Sequence, residues 1–582
     1  MVLTEEIRRQ IGQHFVFGFH GHKPSDNILK LINEYYLGNI IIFKRNIQST
    51  KQLHGLIQSL QQAAKRAGHT KPLLIGIDQE CGVVSAFSSP DAGTQFPGAM
   101  ALGSTGDPDL ANSVANAVGK ELRQVGINWV YSPVADVNLE PFNPVIGVRS
   151  FGKEAQSVSE FVCAFSRGLE SAGVASCAKH FPGHGDTHVD SHLMLPIIMK
   201  DLKELENNEL APFRAAIRSG ISSIMSGHMA LPPLLTTLGK DEDNYLPASL
   251  SSGVSSKLLR EDMGFEGVLV TDCLEMDSIS EEYGCGQGAV MALQAGADIV
   301  MICHQMERQI SAFEAVYSAV DKGQLSLEQL NHSNSRIQAL KDKVTGEWPE
   351  ISDSELLSEE ILKLKQVNAQ LSRSAYAKTI KWLSPTTVEG AQIPPHADVL
   401  VLTPVLQRMN AAVDDPEESL RTADGSQRNT SGPSFTAFAT AIARRAPYSS
   451  HIVYSTQDIE NNLDTLPENI EKTLSSVHTI IFVTRNACQP PSAWQLEVLR
   501  RVMLAIPETK VRIGTDDGEK SGVEESRKLI VLASCSPFDY DFLKRNERTR
   551  DLPCLCTFEH TEPAFEEAAA ILYGGSLQNT EK

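Results

Sequence analysis

The strongest constraint on this chain is a repeat. Over residues 1–345 a short apolar run that ends in polar or charged residues is followed by a longer stretch of helical periodicity, and the pair keeps recurring. Eight runs read as strands: HFVFGFHG from His14, NIIIFKRN from Asn39, LLIGIDQE from Leu73, INWVYSPVADVN from Ile127, VASCAKHF from Val174, SSIMSGHM from Ser222, GVLVTDCLEM from Gly267 and DIVMICH from Asp298. Between them lie helical segments such as DPDLANSVANAVGKELRQ, where Asp107 is placed to cap the first turn. Eight βα units in succession predict a TIM-like (β/α)8 barrel. An open doubly wound sheet gives the same alternation, but no dinucleotide fingerprint accompanies it.

After the breaker TGEWPE the segment SDSELLSEEILKLKQVNAQLSRSAYA reads as helix, which makes residues 346–380 a helical linker. The rhythm then resumes on a smaller scale. ADVLVLTP from Ala397, HIVYST from His451, TIIFVTRN from Thr479 and KLIVLASC from Lys528 read as buried parallel strands, so residues 381–582 are expected to form a smaller α/β layered domain. Two polar stretches interrupt it, VDDPEESLRTADGSQRNTSGPS and TDDGEKSGVEES, and both are expected to be mobile surface loops.

A formal net charge of -20 repels phosphate backbones and anionic membrane surfaces, so neither nucleic acid nor membrane is an expected partner. The first residues, MVLTEEIRRQIGQHFVFGFHG, place acids before bases and hold too short an apolar run for a secretory signal, and a cytoplasmic location is expected. Ten scattered cysteines, several within apolar strand-like runs, suit buried thiols better than a disulfide framework.

The polar residues at the predicted strand ends carry the chemistry, because barrel enzymes gather their reactive groups there. They are Asp78 and Glu80, Asp136, Lys179 and His180, His228, and Asp272 and Glu275. The densest segment is KHFPGHGDTHVDSH from Lys179. Its histidines at 180, 184, 188 and 192 would share a helix face and suit a metal, but Pro182, Gly183 and Gly185 argue for a loop. Within it Asp190 and His192 flank Ser191, a spacing that lets carboxylate meet imidazole for acid/base work; a surface histidine pair is the plainer alternative. Asp272, at the end of a strand, suits a nucleophile, a base, a metal ligand or an acceptor for a sugar hydroxyl.

IDQE at Ile77, QFPGAMALGST at Gln95, NPVIGVRSFG at Asn143, AKHFPGHGDTHVDSH at Ala178 and VTDCLEM at Val270 together resemble glycoside hydrolase family 3, in its β-N-acetylglucosaminidase branch. TRNA at Thr484 and TEPAFEEAA at Thr561 resemble the C-terminal domain of that family. The resemblance implies a retaining hydrolase that releases terminal β-linked N-acetylglucosamine without metal or cofactor. It implies Asp272 as nucleophile, His192 as general acid/base and Asp190 as the acid that holds His192. It assigns sugar contacts to Asp78, Arg149, Lys179 and His180. Because a neutral base does not repel an anion, phosphate in place of water is an open alternative for the second step, which would make the chain a phosphorylase. A β-hexosidase of altered specificity or a non-catalytic sugar-binding relative would also carry these motifs, and they leave oligomeric state open. One departure concerns DQECGVVSAF, where Ala86 stands in place of an expected sugar-binding arginine, with Arg45 or Lys44 as candidate replacements.

Overall fold

The structure is a computed structural model that describes residues 3–188, 190–191, 194–239, 243–348, 354–384, 391–407, 430–446, 448–459, 465–513 and 523–575. The chain divides into two compact units, Met1–Ser372 and Arg373–Lys582, with the division inside the helix Ser354–Thr379.

In the first unit eight parallel strands close into a barrel: β1 (Phe15–Phe17), β2 (Asn39–Ile42), β3 (Leu74–Ile77), β4 (Trp129–Val130), β5 (Ala175–Phe181), β6 (Ser223–Ser226), β7 (Val268–Cys273) and β8 (Ile299–Ile302). Each strand neighbours the next in sequence, and β1 pairs with β8, Phe15 opposite Val300. The strands read as unbroken apolar runs because both faces are covered, one by helices and the other by the barrel's own interior. Val16, Ile41, Leu74, Trp129, Tyr131, Cys177, Met225, Val270 and Met301 pack as one interior cluster, joined by Ile337, Leu340 and Val344 of the helix Leu327–Val344. That helix closes the N-terminal end of the barrel, for its Arg336 reaches Asp298 and its Lys343 reaches Ser222, each one residue before a strand. Full burial of each such aliphatic side chain is worth about 1.5–3 kcal/mol, so the closed interior is a large share of what holds this unit together.

The connecting helices start and stop where the sequence directs. Helix Pro108–Val125 has Asp107 accepting from the Leu110 N–H, proline in its first turn, and Gly126 at φ 96° ending it in the left-handed conformation.

The second unit is a six-stranded sheet: β9 (Lys381–Trp382), β10 (Val399–Pro404), β11 (Ser449–Tyr454), β12 (Thr479–Thr484), β13 (Lys528–Ala533) and β14 (Cys554–Cys556), in the order β9-β14-β13-β12-β10-β11. It is parallel except for β9, which runs against β14. Its own core is built from Val399, Phe435, Phe438, Ile481, Ile530, Leu555, Phe565 and their neighbours. One of the two expected loops is corrected in part: Val523–Glu525, within TDDGEKSGVEES, pairs as a strand with Val511–Ile513. Val511 and Ile513 supply apolar partners that the polar stretch lacks by itself. Of the other, residues 413–429 lie outside the described residues, and Gly432 to Ser434 open the helix Gly432–Ala443, with Pro433 in its first turn.

Candidate active site

The site residues gather at the C-terminal ends of the barrel strands. Asp78 leaves β3, and the chain then folds into a short hairpin, Gln79–Cys81 against Val84–Ser85. Cys81 at φ 70° and Gly82 at φ 58° make the turn, and the Gln79 amide locks it by donating to Ser85 Oγ and accepting from the Phe87 N–H. The hairpin sets Glu80 beneath the mouth, buried. From β5, Ala175 and Cys177 enter the interior cluster, and strand alternation brings Lys179 next on that side.

These groups form one buried chain of charge. Lys179 Nζ lies 2.7 Å from both Asp78 Oδ1 and Glu80 Oε1. Arg149 donates twice to Glu80, at 2.8 and 2.9 Å, and its guanidinium is 3.4 Å from His180 Nε2. The other ring nitrogen of His180 is 2.7 Å from Asp136 Oδ2, and Asp136 also accepts from the His184 N–H at 2.7 Å. Burial alone would raise the carboxyl pKa of Glu80, but the charges of Arg149 and Lys179 overcome it and bring it to about 2. Lys179 is raised above its ordinary value, because Asp78 and Glu80 more than offset the desolvation that would lower it. Asp78 is the open end of the chain: its side chain is 30% exposed, against 3% for Lys179 and Glu80. The four residues expected to contact sugar thus stand together, and they are tied first to one another. Glu80 and Asp136, absent from that expected set, are the acids that organise it.

Asp272 lies near the end of β7. Between Val270 opposite Ile299 and Cys273 opposite Met301 the register slips by one residue, a bulge of the kind that re-aims side chains at barrel rims. Asp272 Oδ1 accepts from the Cys273 N–H at 2.7 Å. The Cys177 thiol, on the interior face of β5, is pushed up to about 12 chiefly by burial. Glu275 is different, for it accepts from the consecutive N–H groups of Cys303, His304 and Gln305 and clamps the end of β8 to that of β7.

The histidine-rich segment is a loop. Gly185 is indispensable to its path, since a Cβ there would sit 1.7 Å from the Val137 carbonyl oxygen. The His184 ring meets Thr187 Oγ1 at 2.9 Å, and burial lowers its pKa to about 4. His188 is exposed beside Glu140. The three described histidines therefore take three different partners and do not share a helix face. Asp190 is buried at the end of the loop; His192 lies outside the described residues.

Arg45, a candidate replacement for the arginine expected at Ala86, has backbone partners of its own. Its guanidinium donates to the carbonyls of Phe19 and Cys303 and stacks on the Phe43 ring, which ties the ends of β1 and β8 together.

A closed (β/α)8 barrel whose mouth holds a buried chain of acids and bases, with a further carboxylate at the end of another strand, is the architecture of a barrel enzyme. The chain belongs to glycosyl hydrolase family 3: the model of that family's N-terminal domain matches residues 4–340. It is 39% identical over 329 residues to beta-hexosaminidase A of Pseudoalteromonas piscicida, covering 54% of this chain and 55% of that protein, so it spans about half the length of that relative. It is 36% identical over 276 residues to a beta-hexosaminidase of Neisseria meningitidis serogroup B, covering 46% of this chain and 72% of the other. Among solved structures it resembles a glycoside hydrolase family 3 beta-N-acetylglucosaminidase from Paenibacillus sp. str. FPU-7, with a TM-score of 0.80 and 33% identity over 99% of this chain and 97% of that one.

Proposed function

We propose that the chain is a retaining glycoside hydrolase that releases terminal β-linked N-acetylglucosamine. The observation that carries this reading is that Asp272, at the C-terminal end of β7, and the buried chain of Asp78, Lys179, Glu80 and Arg149 stand at the same end of one closed barrel. A carboxylate facing a ring of hydrogen-bonding groups suits attack on an anomeric carbon whose hydroxyls those groups hold. The sugar is carried over from the relatives, which are named for hexosamine and N-acetylglucosamine cleavage.

In the first step Asp272 attacks the anomeric carbon as the glycosidic C–O bond breaks, and the His192 imidazolium gives its proton to the departing oxygen. In the second, neutral His192 takes a proton from water, the hydroxyl attacks the same carbon, and the Asp272 carboxylate leaves. Asp190 stabilises the transient imidazolium, and its burial supports that part, since a buried carboxylate interacts strongly with a nearby cation. Asp78, Arg149, Lys179 and His180 orient the sugar, with the partly exposed Asp78 carboxylate as the direct contact.

The test uses aryl β-N-acetylglucosaminides and a slow fluorinated analogue. The wild-type protein should acquire one covalent sugar on the peptide that holds Asp272, and Asp272→Ala should acquire none and lose turnover. His192→Ala should harm substrates with poor leaving groups most; equal losses across the series would count against the acid role. Products from phosphate and phosphate-free buffer separate hydrolysis from phosphorolysis, for a glycosyl phosphate would mark the latter. Sugar binding without turnover by the wild-type protein would overturn the catalytic reading.

A further inference from the structure

Beside Asp272 the barrel mouth holds a second group of side chains to which the glycosidic reading gives no task. Cys273 ends β7, and Cys303 and His304 directly follow β8. A ligand atom from each of the three lies within 4.8 Å of the other two. Cys303 is buried, Cys273 is half-buried and His304 is exposed, so the group opens to solvent on one side.

Their placement is enforced by the backbone. The Glu275 carboxylate accepts from the N–H groups of Cys303 and His304 at 2.7 and 2.6 Å, and Arg45 donates to the Cys303 carbonyl at 2.8 Å. Charges of both signs stand beside the group: the Cys273 thiol approaches the Glu275 carboxylate at 3.7 Å, Asp272 directly precedes Cys273, and Arg45 holds the Cys303 carbonyl. Two thiols packed against the barrel interior would need no imidazole beside them. Two sulfurs and an imidazole nitrogen are the donor set of zinc-class ions, whose bonds of about 2.3 Å to sulfur and about 2.0 Å to nitrogen set the donors roughly 3.5–3.8 Å apart. The three donor atoms, each within 4.8 Å of the other two, stand close to that spacing.

We propose that Cys273, Cys303 and His304 form a site for a borderline-soft divalent ion of the zinc class, and that its occupancy suppresses Asp272. On binding, the hydrated ion sheds waters, the two thiols release their protons to solvent, and two metal–sulfur bonds and one metal–nitrogen bond form. A water keeps the fourth position. The ion then sits one residue from Asp272, whose carboxylate already leans on the Cys273 N–H, and it draws away the electron density that an attack on carbon requires. Only this effect on turnover rests on the proposed hydrolase activity.

The experiment titrates the full-length, metal-free protein with Co²⁺ as a spectroscopic stand-in, then with Zn²⁺. The expected result is a thiolate-to-cobalt charge-transfer band that saturates at one equivalent, is displaced by Zn²⁺, and vanishes in Cys303→Ser and in Cys273→Ser/Cys303→Ser. His304 is exposed, so His304→Ala tests the site without loss of core packing; it should weaken Co²⁺ binding by at least roughly 10–100-fold. Aryl-glycoside turnover of the wild-type protein should fall in step with Zn²⁺ occupancy and return with a chelator. No band in the wild-type protein, or a band that survives in the double serine variant, would overturn the site. A saturated band with turnover unmoved would overturn its effect on Asp272. A protein that shows the band but cleaves no glycoside refutes the hydrolase reading and leaves the metal site supported.

Discussion

Glu80 carries two cations on one carboxylate, and all three groups are withdrawn from water. Such a cluster is stable only while complete, because removal of one partner leaves an uncompensated buried charge. Glu80→Gln should therefore destabilise the first unit by about 3–5 kcal/mol in urea unfolding, a cost typical of a broken buried pair. The pH dependence follows from the direction of the shifts. Glu80 falls from 4.5 to about 2, so its stabilisation is complete above 4.5 and is lost as pH drops toward 2. His184 acts earlier: an unfolded histidine takes its proton near 6.5, the buried one only near 4, so the unfolded chain gains protons first and stability declines across that window. Urea midpoints at pH 7, 5 and 4 should show this slope, and His184→Gln should flatten it. Asp78, Lys179 and His180 were legible in the sequence as polar groups at strand ends, whereas Arg149 came only from the family resemblance. Their pairings were not legible, for Lys179 meets Asp78 across 101 residues and His180 meets Asp136 across 44, and no local pattern encodes such distances.

At the scale of elements, the eight barrel strands were legible because each is an apolar run buried on both faces. β9 and β14 were not, because Lys381–Trp382 and Cys554–Cys556 lack the longer apolar run that surrounds the equally short β1 and β4, and they take their strand geometry from the neighbours they join. The bulge in β7 was equally invisible; it depends on what β8 presents opposite. The proline and glycines of the histidine-rich segment did reveal its loop, and Gly185 gives a sharp test. Gly185→Ala forces the loop away from the Val137 carbonyl. A displacement of about 1 Å at an active site can cost on the order of 10²-fold in rate, so kcat/KM on an aryl β-N-acetylglucosaminide should fall by that order. Kinetics close to wild type would show that the loop path is irrelevant to turnover.

At the scale of the molecule, each unit carries its own hydrophobic core. Cores built from separate stretches of chain need not melt together, so calorimetry should give a total enthalpy larger than the van't Hoff value of the main transition. Equality of the two would mean that the units unfold as one. The pairing of β1 with β8 has a further consequence, which concerns synthesis. Phe15 and Val300 are partners, so the first strand leaves the ribosome long before its final neighbour exists. At about 5–20 residues per second that interval is about 15–60 s. Throughout it one edge of β1 is an unpaired row of amides and carbonyls, a natural landing place for a chaperone and the point at which crowding of nascent chains would do most harm.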